Sequence, residues 1–145
     1  MKLTWQPIDN EGDTDGNPVV LADHEPRRGP GSKVVLTSGF NHQNEIEGVS
    51  YVRATSAEFF DRDNQSTTFS AQVHYEFGSV SECSQFMARL GLTMVSGRGN
   101  LRIDHDGGGF DTVPRAVWQA IQVGPKLGVV VTVAFSFTGG QVNGA

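Results

Sequence analysis

Thr67-Thr68-Phe69-Ser70-Ala71-Gln72-Val73-His74-Tyr75-Glu76-Phe77 alternates without a break. Phe69, Ala71, Val73, Tyr75 and Phe77 share one parity, and Thr68, Ser70, Gln72, His74 and Glu76 share the other. Successive side chains of a strand point to opposite sides of a sheet, so this stretch predicts a strand with one buried face and one wet face. The wet face carries hydroxyls and an amide, with a single His and a single Glu at one end.

Upstream, Val49–Phe60 is rich in Val, Tyr, Thr and Phe and reads as extended. Asp61-Arg62-Asp63-Asn64-Gln65 lies between it and Thr67. Asp and Asn tolerate the left-handed conformation of turns, so the three pieces predict a long hairpin. Downstream the period changes. Ser79-Val80-Ser81-Glu82 fits a capping box, with Ser79 as the cap and Glu82 reaching back. Val80, Cys83, Met87 and Leu90 recur at helical spacing, with Phe86 beside them, and Gly91 is a natural stop. The spacing predicts an amphipathic helix over residues 80–90.

The remaining chain is mostly β. Val129, Val131, Val133, Phe135 and Phe137 alternate with Val130, Thr132, Ala134 and Ser136. Asn100–Ile103 reads as a short strand, Asp104–Gly109 as a turn and Ser38–Gly48 as a loop. Ala116–Val123 fits strand alternation and, less well, a helix opened by Pro114; strand is favoured. Gly124–Gly128 suits a hairpin loop and Gly139–Ala145 a loose tail. Residues 1–32, with acidic Asp9–Asn17 and the Pro- and Gly-containing Glu25–Ser32, read as an extended N-terminal arm whose one strand-like piece is Pro18–Ala22. Residues 33–145 then form one domain. The fold class is mainly β (α+β), an antiparallel sandwich or partial barrel of about six to eight strands with one flanking helix.

The chain has 145 residues, and 37% are apolar and 19% charged, which suits one globular domain with its own core. The net charge is −5 with only 11 Lys plus Arg, a poor balance for wrapping nucleic acid. Cys83 is the single cysteine, so no internal disulfide forms, and its place on the apolar stripe of the helix marks a structural thiol. The first residues lack the apolar run of a signal peptide, and no stretch has the roughly 20 apolar residues of a membrane helix.

Few residues suggest chemistry. Asp104-His105-Asp106 has ligand and general-base residue types, but it runs into Gly107-Gly108-Gly109, which marks a hairpin tip. Asp13-Thr14-Asp15-Gly16-Asn17 lacks the closing Glu of a calcium loop. His42, Glu45 and Glu47 sit in a polar, non-helical stretch without a zinc-site pattern, and Gly97-Arg98-Gly99 is too short to cradle phosphate. The reading is therefore non-enzymatic, with no cofactor and no metal. Trp5, an aromatic in a polar arm, is expected to dock on its own domain or on a neighbour.

Three stretches carry a resemblance. Phe59-Phe60-Asp61-Arg62-Asp63-Asn64-Gln65-Ser66-Thr67-Thr68-Phe69, then Tyr75-Glu76-Phe77-Gly78-Ser79-Val80 opening a helix, then Val129–Phe137 with Thr138-Gly139-Gly140, resemble small tail-associated proteins of bacteriophages and prophages. The similarity covers about residues 49–140. The two-sheet mixture with one helix, a long hairpin and an arm is similar to the phage tail-tube fold of tube, terminator and distal-tail proteins. That resemblance implies a virion structural subunit made in the host cytoplasm. In that family, subunits assemble into hexameric rings around a channel for DNA, with arms and loops joining rings, and the resemblance implies the same here. It implies other tail proteins as partners, DNA passing without specific binding, no membrane and no active site. An acidic lumen is usual in that family. Candidate interface or channel-face residues are Trp5, Thr68, Ser70, Gln72, His74 and Glu76. The alternative is a small monomeric or dimeric binding module for protein or carbohydrate. Unpaired sheet edges favour assembly, because closing a ring pairs them between copies.

Overall fold

The computed structural model describes residues 1–23, 29–50, 57–93, 97–125, 127–140 and 143–144. Its elements in chain order are β1 (Lys2–Pro7), β2 (Val19–Ala22), β3 (Lys33–Ser50), β4 (Ala57–Glu76), α1 (Val80–Thr93), β5 (Arg98–Asp104), β6 (Phe110–Val123), β7 (Val130–Gly139) and β8 (Asn143–Gly144). All strands join one antiparallel sheet in the order β2-β1-β5-β6-β7-β4-β3, and β8 pairs β6 at Asp111 and Thr112.

The alternating stretch is the inner half of β4. Phe69, Val73 and Tyr75 lie opposite Phe137, Val133 and Val131 of β7, and all six are buried. Two ladders of large side chains on one face supply the apolar burial that holds these strands in register. The sheet curls so that its edges approach. The Asp23 N–H donates to the Lys33 carbonyl at 2.9 Å, and the Tyr75 hydroxyl donates to the Leu21 carbonyl at 2.6 Å. The result is a partial barrel, fastened at one end of its seam and not closed.

Residues 1–32 were expected to form an extended arm with weak local structure. Within them, β1 and β2 are strands of the sheet, and Leu3, Trp5, Ile8 and Leu21 are buried. The ring of Trp5 stacks on Phe137 at 5.1 Å between centroids. Gly99 makes room for it: a Cβ there would stand 2.6 Å from the indole Cε2. β1 alternates Leu3, Trp5 and Pro7 inward, a pattern too short to stand out in sequence. Part of Glu25–Ser32 lies outside the described residues.

Ser38–Gly48, expected as a loop, is most of β3. Asp61–Gln65, expected as the hairpin turn, lies inside β4. Asn44 pairs Gln65, and the next pair, two residues on along β3, is Ile46 with Asp61, four residues back along β4. The extra residues are an irregularity within a continuous ladder. Turn-forming residues suit a bulge as well as a reversal, because both need departures from strand dihedrals. Both polar stretches are held extended by their partner strand. The last pair of the ladder is Ser50 with Ala57, and residues 51–56 lie outside those described. Asn100–Ile103 extends to Arg98–Asp104, and Ala116–Val123 is strand within β6.

At the start of α1, the Glu82 N–H donates to Ser79 Oγ at 3.1 Å. The Glu82 carboxylate accepts from the Gly78 N–H at 3.0 Å, one residue beyond the expected return. The helix passes Gly91 and ends at Thr93. Cys83 and Leu90 are buried, and Phe86 packs on Tyr75 and Phe77 with centroids 4.6 and 5.1 Å apart. Val80, placed on the stripe by its spacing, is 53% exposed and stands outside the core.

Candidate functional site

The outward parity of β4 forms the middle of an open trough of about 680 Å³ across β3, β4, β7 and β6. Ser70 and Gln72 of β4, Ser38 of β3, Ser136 of β7, and Gln119 and Gln122 of β6 line it. Its fifteen lining residues include no charged side chain, so its chemistry is that of hydroxyls, carboxamides and small apolar groups. Register explains the uniformity: Ser70 lies opposite Ser136, Gln72 opposite Ala134, and Gln122 opposite Ala134 from the other side. Side chains of one parity line up across adjacent strands.

Thr68 also lines the trough. His74 and Glu76 occupy the same parity of β4 toward α1, where His74 Nε2 and Glu76 Oε1 are 3.2 Å apart. Among the described side chains of this parity of β4, the one carboxylate is that of Glu76, and it is paired with His74. Trp5 stands apart from the face. It is fully buried in the core, and its Nε1 has no hydrogen-bond partner. It docks on its own domain because the groove left by Gly99 and the Phe137 ring accept it.

The charged residues sit elsewhere. The His105 N–H donates to the Gly109 carbonyl at 3.0 Å, closing the β5–β6 tip, where Gly108 and Gly109 take φ of +98° and +80°. His105 Nε2 lies 2.8 Å from Asp111 Oδ2, Asp104 accepts from Arg102 Nε at 3.1 Å, and Asp106 pairs with the terminal ammonium of Met1. Each member of Asp104-His105-Asp106 is thus turned to a different partner. In the loop after β1, Asp9 Oδ1 accepts the N–H groups of Glu11 and Asp13 at 3.0 and 2.9 Å. That carboxylate organises the turn itself. Among the described residues, no three or more His, Cys, Asp or Glu side chains gather as a metal site. His42 Nδ1 lies 3.1 Å from Thr67 Oγ1, and the Thr67 hydroxyl donates to the Gly140 carbonyl at 3.3 Å. This joins β3, β4 and β7 beside the trough. The side chains of Glu45 and Glu47 lie outside the description. Cys83 is buried in the helix interface. Burial pushes the Tyr75 phenol well above its usual range.

The sequence showed the contribution of β4 to this face, and the Ser136 parity of β7 was equally legible. Ser38, Gln119 and Gln122 were missed. Their stretches lack clean alternation, and only the register shift between Trp118 and Ala120 brings Gln119 and Gln122 to the trough.

No family model matches the chain. No curated protein matches its sequence. Solved structures do match it along its whole length. One is a chain of the virion of a native gene transfer agent particle, with 11% identity and a TM-score of 0.51, covering 99% of this chain and 95% of that one. This chain shares the fold of that virion chain. A chain from the tail of an empty gene transfer agent particle, refined with C6 symmetry, matches at 11% identity and a TM-score of 0.48, over 99% of this chain and 95% of that one. A chain from the baseplate of the anti-feeding prophage matches at 11% identity and a TM-score of 0.45, over 99% and 91%.

Proposed function

We propose that this protein is a structural subunit of a phage-type tail. It assembles into rings, and the trough face of β3, β4, β7 and β6 lines the channel or the contact between neighbouring subunits. The observation that carries this reading is the trough itself: four strands wide, with no charged side chain in its lining, on a chain of net charge −5. A surface that passes a polyanion must not hold it, and phosphate is held by cations. The likeness in fold to a virion chain agrees with the reading. The trough lining is uncharged, whereas the tail-tube resemblance implies an acidic lumen, and most acidic side chains of the described residues lie on the β1 and β5 flank and its loops.

The width of the face bears on ring size. Strands lie about 4.8 Å apart, so four present about 19 Å of wall, and six copies enclose a backbone diameter of about 37 Å. Side chains take about 5 Å from each wall, which leaves a bore of about 27 Å and admits duplex DNA. Three copies leave about 8 Å, which does not. Hexameric rings therefore suit the geometry. The role is structural, with no reaction assigned to any residue.

Negative-stain electron microscopy of the purified chain tests this. Rings or tubes with a bore of that order are expected. A chain that stays monomeric at high concentration, with or without a tail fragment to start assembly, overturns the reading.

A further inference from the structure

The outward parity of β1 and β5 belongs to the part of the curled sheet that the trough does not use. There Lys2 lies opposite Asp104 and Thr4 opposite Arg102, and Phe110 of β6 lies opposite Asp104 from the other side. Lys2, Thr4, Arg102, Asp104 and His105 line an open pocket of about 470 Å³. Three of these five side chains are basic types, on a chain of net charge −5.

Arg102 is held from two directions. Its Cζ stands 3.9 Å from the centre of the Phe110 ring, and its Nε donates to Asp104 Oδ1 at 3.1 Å. An aromatic face and a carboxylate together fix the plane of a guanidinium. The side chain is still 51% exposed, and neither Nη group has a partner among the described residues. Lys2 carries a second charge on the same face and makes no ion pair among the described residues. His105 is tied to Asp111 through Nε2. The pocket thus holds an oriented fork of N–H donors beside an ammonium.

We propose that this pocket binds a single phosphate group, as the free ion or at the end of a small molecule. The Arg102 fork takes two of its oxygens and Lys2 a third. A carboxylate has two oxygens only and cannot occupy both partners in full. The volume lies in the range of small-molecule pockets, which leaves room for the group that bears the phosphate. Asp104 and Asp111, the partners of Arg102 and His105, stand beside the pocket. They repel a polyanion that brings many charges at once more than they repel one phosphate. The site shares no residue with the trough and stands or falls apart from the ring reading.

Phosphorus NMR of the full chain tests this. The line widths of inorganic phosphate and of glycerol phosphate are followed on titration at constant ionic strength. Saturable broadening in the millimolar range is expected, because the pocket is open to water and salt competes. Arg102→Lys keeps the charge and loses the fork, and Lys2→Gln loses the second charge. Each is expected to weaken binding about tenfold, the worth of one charge-assisted hydrogen bond, with unchanged circular dichroism. Sulfate is expected to compete, and acetate about tenfold less well. Either phosphate species supports the site, and the tighter one names its source. Broadening that does not saturate, or that survives both substitutions, overturns the proposal. So does acetate competing as well as sulfate, or a short DNA duplex displacing phosphate at lower concentration than sulfate does.

Discussion

The two faces of β4 share one backbone and have opposite fates. Phe69, Ala71, Val73 and Tyr75 are buried against β7 and α1, whereas Ser70 and Gln72 are exposed in a trough without charge. Removing apolar area from water stabilises the fold, while hydroxyls and amides left in water contribute little either way. The inner face therefore decides whether the chain folds. The outer face is free to be set by what passes it or packs on it. Substitutions on the two faces should separate cleanly into losses of stability and changes in assembly or cargo.

The largest expected effect lies in the core. Trp5→Ala removes the ring stacked on Phe137 and leaves a cavity beside Gly99. It should cost about 3–5 kcal/mol in urea unfolding. A loss below about 1 kcal/mol would place Trp5 outside the cooperative core.

Tyr75→Phe is next. It leaves the Leu21 carbonyl buried without its donor and should cost about 1–2 kcal/mol. The phenol also links stability to pH. Burial raises its folded pKa, so the unfolded chain releases this proton first. The contribution is whole below the unfolded value of about 10 and is lost as pH rises beyond it. Wild-type stability should fall above that pH more steeply than that of Tyr75→Phe. The ionisation absorbance of Tyr75 should appear only with unfolding. Equal slopes for the two proteins would contradict the burial of this phenol.

Ser79→Ala removes the cap that receives the Glu82 N–H and should cost about 1 kcal/mol. An unchanged melting curve would show that the Glu82 bond to Gly78 suffices to start the helix.

The smallest effect on stability sharpens the comparison most. Gln72→Lys and Ser136→Lys, on the trough face, should change stability by less than about 0.5 kcal/mol. If the trough lines a channel, assembled particles carrying them should retain duplex DNA in low salt and release it in high salt, as counterion release requires. If these variants stop rings from forming instead, the trough is a subunit contact. Wild-type particles that retain DNA as strongly as the lysine variants would remove the passage reading.

Much of this was legible because it is local. The alternation at Thr67–Phe77 and at Val129–Phe137 needs only neighbours in sequence to imply two faces. The Ser79 cap and the Cys83–Leu90 stripe lie within one helical stretch. What escaped was non-local. Ser38–Gly48 is polar and glycine-containing, and it is a strand because β4 pairs with it along its length. Asp61–Gln65 has turn composition and is a bulge for the same reason. Lys2–Pro7 became core because β5 supplies a partner for each of its residues and Gly99 supplies the space for Trp5.

The sequence by itself determined the mainly-β class, the helix after Ser79, and the neutral, hydroxyl-rich character of the outer parity of β4. Side-chain periodicity and capping act over a few residues, and no fold can hide them. Only the tertiary structure decided that this parity meets Ser38, Ser136, Gln119 and Gln122 in one trough, that the sheet curls until Asp23 reaches Lys33, and that the hairpin outruns the sheet. Each of these depends on register between distant strands. Register is set by the sum of many weak pairings across the sheet, and no short stretch contains it.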